Sequence, residues 1–160
     1  MRKYIAVTPI VFLHFFFLSC ISFQIDSKSF MAENSHFRKT DVFFLEPIVI
    51  TSYNFMEDEA VRYIMDKKLA FALSSSEKIR MTEDKGKGEY IITPELIIKN
   101  YEVRYDDRNY YFLSIKVFSE ESIVCYFTYE YNGTSSIFDG KVQNIMIEKF
   151  LNDFIKNITE

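Results

Sequence analysis

Apolar residues open the chain as one block and then recur with two different periods. Residues 5–18, IAVTPIVFLHFFFL, follow the cationic start Met1-Arg2-Lys3-Tyr4. Residues 21–40, ISFQIDSKSFMAENSHFRKT, hold no steady period and read as a tether of polar residues with isolated Phe. Ordered alternation begins near Asp41. Residues 42–50, VFFLEPIVI, predict a strand kinked or bulged at Glu46-Pro47, since proline donates no ladder N–H. Residues 56–75 predict a helix: Val61, Ile64, Met65, Leu69, Ala72 and Leu73 follow 3–4 spacing, and Glu57, Asp58 and Glu59 crowd the first turn, where the helix dipole favours anions. Residues 77–82 alternate as a short strand. Residues 89–105 form a long strand in which Tyr90, Ile92, Leu96 and Ile98 share one face, and the apolar face switches near Lys99-Asn100, as one bulged residue would make it do. Residues 110–118 and 123–131 continue an antiparallel meander through turns at Asp106–Asn109 and Ser119–Ser122. Residues 139–158 close the chain as a helix with Asp139 as N-cap and an apolar stripe of Val142, Ile145, Met146, Phe150, Phe154 and Ile158.

The order is β-α-β-β-β-β-α. It predicts a single α+β domain over residues 41–160, with a mixed or antiparallel sheet of about five strands and both helices packed on one face. The opposite face is then left either for a partner or for the linker and loops to cover. Tyr90, Tyr110, Phe112, Phe118 and Tyr126 are assigned to it as a candidate partner surface, because an exposed apolar patch of that size marks an interaction site.

The opening block is an export signal. Its length corresponds to roughly 21 Å of helix, short of the roughly 30 Å hydrocarbon core of a bilayer. A basic start, a short apolar core and a small residue at its end make a secretory signal over residues 1–19. The end, Phe17-Leu18-Ser19-Cys20, resembles the bacterial lipobox, in which a small residue precedes the cysteine that becomes the lipidated first residue. The resemblance implies that Cys20 takes a diacylglyceryl group, that cleavage follows Ser19 and that the new amine is acylated. Several acyl chains on one residue anchor stably where one chain would not. A plain cleaved signal and an uncleaved anchor are the alternatives. With Cys20 acylated, Cys125 has no intramolecular partner, and its place in Ile-Val-Cys-Tyr-Phe marks it as a small buried hydrophobe.

Charge and composition narrow the function classes. The net charge is −4, and removal of residues 1–19 takes Arg2 and Lys3 but no acid, which leaves −6. That balance argues against nucleic acid as a partner and offers no polybasic attraction to anionic lipid, so attachment to a membrane rests on the acyl chains. Two His and two Cys are too few for a zinc site of those residues, and no cofactor or metal is expected. Lys85-Gly86-Lys87-Gly88 lacks the order of a phosphate loop and reads as a turn. The pairs Asp106-Asp107 and Glu120-Glu121 sit in hairpin tips. No Ser/His/Asp or Cys/His arrangement suggests an enzyme.

Residues 88–98, GEYIITPELII, carry a family resemblance. A small residue, an acid, Tyr, two aliphatics, Thr and a further acid resemble a strand of the penicillin-binding-protein activator lipoproteins, the curli-secretion lipoprotein and the amino-terminal domain of the Tol translocation protein. In those domains Gly usually follows the Thr, where this chain has Pro94. The resemblance implies a strand, a helix, a strand, a meander and a last helix, and a non-enzymatic adaptor. The expectation is an exported lipoprotein, fixed to a bacterial membrane (the outer in preference to the inner) and facing the periplasm or the surface. Its domain would bind an envelope protein. The alternative is a lipoprotein that carries a small apolar ligand, a lipid or a glycan.

Overall fold

The meander builds the centre of the sheet. In the computed structural model, which describes residues 24–32, 36–52, 58–100 and 109–159, three long strands lie antiparallel: β6 (Tyr90–Asn100), β7 (Asn109–Ser119) and β8 (Ser122–Gly133). Strict alternation drives them. On β7, Tyr111, Leu113, Ile115 and Val117 are buried and their neighbours are half-buried. The tight turn from β7 to β8 puts Glu120 at φ 54°, in the left-handed region that favours glycine.

On one side, β3 (Val42–Leu45) and β4 (Val49–Ser52) both run parallel to β6, and β5 (Arg80–Thr82) pairs with β3. The single strand expected over residues 42–50 is thus two. Leu45 pairs Ile92 and Val49 pairs Glu95, so three residues, 46–48, span a gap that two residues of β6 span. This is the extra residue of a bulge. Pro94 stands opposite it, where no ladder N–H is called for, while the β7 side of Pro94 pairs regularly with Ile115. Lys85 and the Thr93 hydroxyl both bond Glu46, and the Ile48 N–H donates to Asp66 Oδ1 at 2.6 Å.

On the other side, β1 (Gln24–Met31) pairs antiparallel with β8 along its whole length. A two-residue strand, β2 (Phe37–Arg38), pairs in parallel with β9 (Ile158–Thr159). These strands correct the tether assigned to residues 20–40. The signal over residues 1–19 and Cys20 itself lie outside the described residues, but the sheet begins at Gln24 rather than near Asp41. The main sheet therefore has seven strands, in the order β1-β8-β7-β6-β3-β5 with β4 also on β6.

Both helices cover one face, and the fold is α+β. α1 (Asp58–Ser74) buries Val61, Met65, Leu69 and Leu73, and α2 (Gly140–Ile155) buries Val142, Met146, Ile147, Phe150 and Phe154. Asp139 caps α2 by accepting from the Lys141 N–H at 2.9 Å. Phe154 lies among Phe37, Phe43, Phe127 and Phe150, with ring centroids 5.3–6.1 Å away. Aromatic pairs at such spacings add stability beyond the area they bury. The β6–β7 ladder is regular as far as Asn100↔Asn109. The face switch expected from Tyr101 onward lies outside the described residues.

Candidate functional site

Among the described residues no element covers the face of the sheet away from the helices, and strand register fixes what it displays. Four outward rows cross β6, β7, β8 and β1. They are Lys99-Tyr110-Asn132-Gln24, Ile97-Phe112-Glu130-Asp26, Glu95-Ser114-Thr128-Lys28 and Thr93-Lys116-Tyr126-Phe30. Beyond them stand Ile91, Phe118 and Ile123. Apolar groups gather at both ends, and a polar middle with the Lys116–Glu95 ion pair at 3.9 Å separates them. Phe112 and Phe118 are six residues apart on one strand, roughly 20 Å.

Four of the five expected surface residues point outward: Tyr110, Phe112, Phe118 and Tyr126. They do not form one patch. Tyr110 and Phe112 belong to one end, with Lys99 Nζ 4.7 Å from the centre of the Phe112 ring. Phe118 and Tyr126 belong to the other. Tyr90 is a correction. It lies on the helix-covered face, its ring 5.0 Å from Phe37 and 5.4 Å from Phe43, because its register partner is the buried Phe43. Burial and the nearby Asp41 and Glu89 carboxylates raise its pKa.

Outward apolar residues beyond that set include Ile91, Ile97, Phe30 and Ile123, of which Phe30 and Ile123 are the most exposed. Phe30 is 47% exposed and stacks on Tyr126 at 5.5 Å; Ile123 is 44% exposed. Ile123 has the parity of the buried Cys125, Phe127 and Tyr129, so strict alternation would place it with them. The register instead skips Val124, pairing Val117 with Cys125 and Phe118 with Ile123, and this turns Ile123 outward. For Phe30, the alternation Asp26, Lys28, Phe30 against Ser27 and Ser29 was the available signal.

The helix side carries a second apolar feature. A groove of 540 Å³ runs between α1 and α2, lined by Phe71, Ala72, Ile147, Leu151 and Ile155, with Lys68 near one end. Lys68 Nζ ties the helices together through Asn144 Oδ1 at 2.7 Å and the Gly140 carbonyl at 3.3 Å.

Groups with chemical potential are occupied structurally. The Cys125 thiol is fully buried, and burial pushes its pKa up to about 12, so it stays protonated at neutral pH. Tyr129 donates its hydroxyl proton to Asp153 at 3.1 Å, and burial together with that carboxylate raises its pKa. The Tyr111 hydroxyl accepts from the Ile137 N–H at 2.9 Å, and the Gln143 amide donates to the Ile137 carbonyl at 2.7 Å, which fixes the approach to α2. Among the described residues no group of three or more His, Cys, Asp or Glu could hold a metal ion, and no helix is long and apolar enough to cross a membrane.

No family model and no curated protein matches the chain. Solved bacterial structures do. The PelC dodecamer from Paraburkholderia phytofirmans has a TM-score of 0.59 at 12% identity, covering 86% of this chain and 100% of that one. A second crystal form, of a single-residue variant, scores 0.53 at 12% identity and covers 84% and 99%. The hypothetical protein CT253 from Chlamydia trachomatis scores 0.48 at 10% identity, covering 72% and 94%. At these identities the likeness is one of fold, and this chain has the fold of the PelC subunit.

Proposed function

We propose that the chain is an exported bacterial lipoprotein, acylated on Cys20, whose domain binds an envelope protein and catalyses no reaction. One observation carries the binding role: the stacked pair Phe30–Tyr126, with Ile123 beside it, is exposed on the sheet face that the described residues leave open. Apolar side chains in such numbers are left in water at a cost that a partner would remove. The signal ending in Ser19-Cys20 supports the anchor, and the resemblance of residues 88–98 to envelope-lipoprotein strands supports the setting. Both PelC structures are dodecamers, so a second copy of this chain is the first partner to test. The carrier reading rests on the groove between α1 and α2, which is apolar but open.

Two measurements decide. Mature protein from cell membranes should carry the mass of its acyl chains; Cys20→Ala should abolish that mass, and globomycin should trap the uncleaved, diacylglyceryl-bearing precursor. A Cys20→Ala chain that is still cleaved and membrane-fixed overturns the anchor. Light scattering should give a multiple of the chain mass, or cross-linking should recover a defined envelope protein, and Tyr126→Glu should weaken either association at least tenfold. A solitary chain whose native mass spectrum shows bound lipid, lost on Ile147→Glu, establishes the carrier instead.

A further inference from the structure

The distance from the acylation site to the sheet is short. Residues 21–23 alone separate Cys20 from Gln24, the first residue of β1. Four steps between consecutive Cα atoms span at most about 14 Å. The headgroup layer adds roughly 5–8 Å to each side of the hydrocarbon core. Given the acylated Cys20 proposed above, on which this inference rests, Gln24 stays within or just above that layer. The strand direction then sets which end of the open face meets the lipid.

The outward row that contains Gln24 continues through Asn132 and Tyr110 to Lys99. It holds two amides, a phenol and an ammonium, and no carboxylate. Among the described residues of this face, acids begin in the next outward row, at Asp26 and Glu130, about 7 Å further along the strands; the β6–β7 connection, with Glu102, Asp106 and Asp107, lies outside the described residues. Lys99 lies over the Phe112 ring. Aromatic rings with one polar edge favour the membrane–water interface, and a lysine there buries its stem while its head meets phosphate.

We propose that this end of the uncovered sheet face, with Lys99, Tyr110 and Phe112, rests in the headgroup layer of the membrane that holds Cys20. The opposite end, with Phe30, Ile123 and Tyr126, points away from the bilayer toward a partner. The mature charge of −6 supplies no long-range attraction, so the anchor and these local contacts set the orientation.

The chain has no Trp, so one introduced Trp reports alone. The test uses acylated, full-length mature protein in vesicles of phosphatidylethanolamine and phosphatidylglycerol, with and without lipids brominated near the headgroup. Tyr110→Trp and Phe112→Trp should each show blue-shifted emission quenched by more than half; Tyr126→Trp should show neither. Having two positions at the proposed contact guards against one that disturbs the sheet. Equal quenching at all three positions overturns the inference in favour of a sheet lying flat. Unquenched Trp at 110 and 112 in acylated, vesicle-bound protein overturns it while leaving the anchor intact. Mature protein without acyl mass overturns the anchor, and this inference with it.

Discussion

Phe37 offers the sharpest contrast between a tether and a folded segment. In a solvated tether, Phe37→Ala would change stability by almost nothing. In the fold, Phe37 is 1% exposed and its ring lies 5.0–5.3 Å from Tyr90, Phe43 and Phe154. Truncating a buried Phe to Ala costs about 3–5 kcal/mol, transfer and cavity together. β2 has only two residue pairs to β9 and can shift into the space, which favours the lower end of that range. At roughly 3–4 °C per kcal/mol for a domain of this size, the melting temperature should fall by about 10 °C. Urea unfolding followed by circular dichroism gives the free energy, and Phe30→Ala, at a half-exposed ring, is the control, with a loss of no more than about 1 kcal/mol. A Phe37→Ala loss below about 1 kcal/mol, or one no larger than the control's, would refute the packing argued for residues 36–41.

Gly88→Ala should cost about 1–3 kcal/mol in the same assay, because an added Cβ would stand 2.8 Å from the Phe44 Cβ; a neutral result means β3 moves freely there. Glu120→Gly should stabilise the β7–β8 turn by up to about 1 kcal/mol, since the left-handed backbone at Glu120 costs a side-chain-bearing residue more than glycine. Unchanged or lower stability would count against strain at that turn. Tyr90, Tyr111 and Tyr129 have raised pKa values, chiefly through burial, so the folded chain holds protons that the unfolded chain releases above the ordinary value of 10.0. Their contribution to stability is therefore whole below pH 10 and is lost as the pH climbs through their folded values. Tyrosinate absorbance should rise together with unfolding, and three tyrosines that ionise in a still-folded chain would contradict it. Glu46, held low mainly by its hydrogen bond to Lys85, works in the other direction: its contribution is present above the ordinary carboxylate value and is lost as acid protonates it. Glu46→Gln should flatten the acid limb of the stability profile, and an unchanged limb would remove Glu46 from the account.

The helices and the meander were legible because each repeats its period over many residues: α1 and α2 at 3–4 spacing, β7 at strict alternation. Asp139 as N-cap and the bulge at Glu46-Pro47 were legible because single residue types there carry a backbone consequence. β1 was not. An edge strand buries little on either face, and only Ile25 and Met31 are partly buried in it, so its pattern looks like a polar linker. Phe37 belongs to a strand too short to show any period. Among the candidate surface residues, Tyr90 shares parity with the buried Ile92 and Leu96, and only its pairing with Phe43 fixes which side that is. The skipped Val124 leaves no mark on composition or alternation, so the outward turn of Ile123 could be found only in three dimensions.

The parallel pair β2–β9 has a consequence in time as well as in space. It joins Phe37 and Arg38 to Ile158 and Thr159, and the Thr159 hydroxyl reaches the Phe37 carbonyl across 122 positions of sequence. β1 likewise waits for β8. Contacts this distant close late, because their loop entropy is spent before they return anything. The emerging chain can form α1 and the β6–β7 hairpin early, but β2 cannot pair until residues 158–159 have been made. For a chain exported as proposed above, this late closure would keep the fold open until residues 158–159 are available.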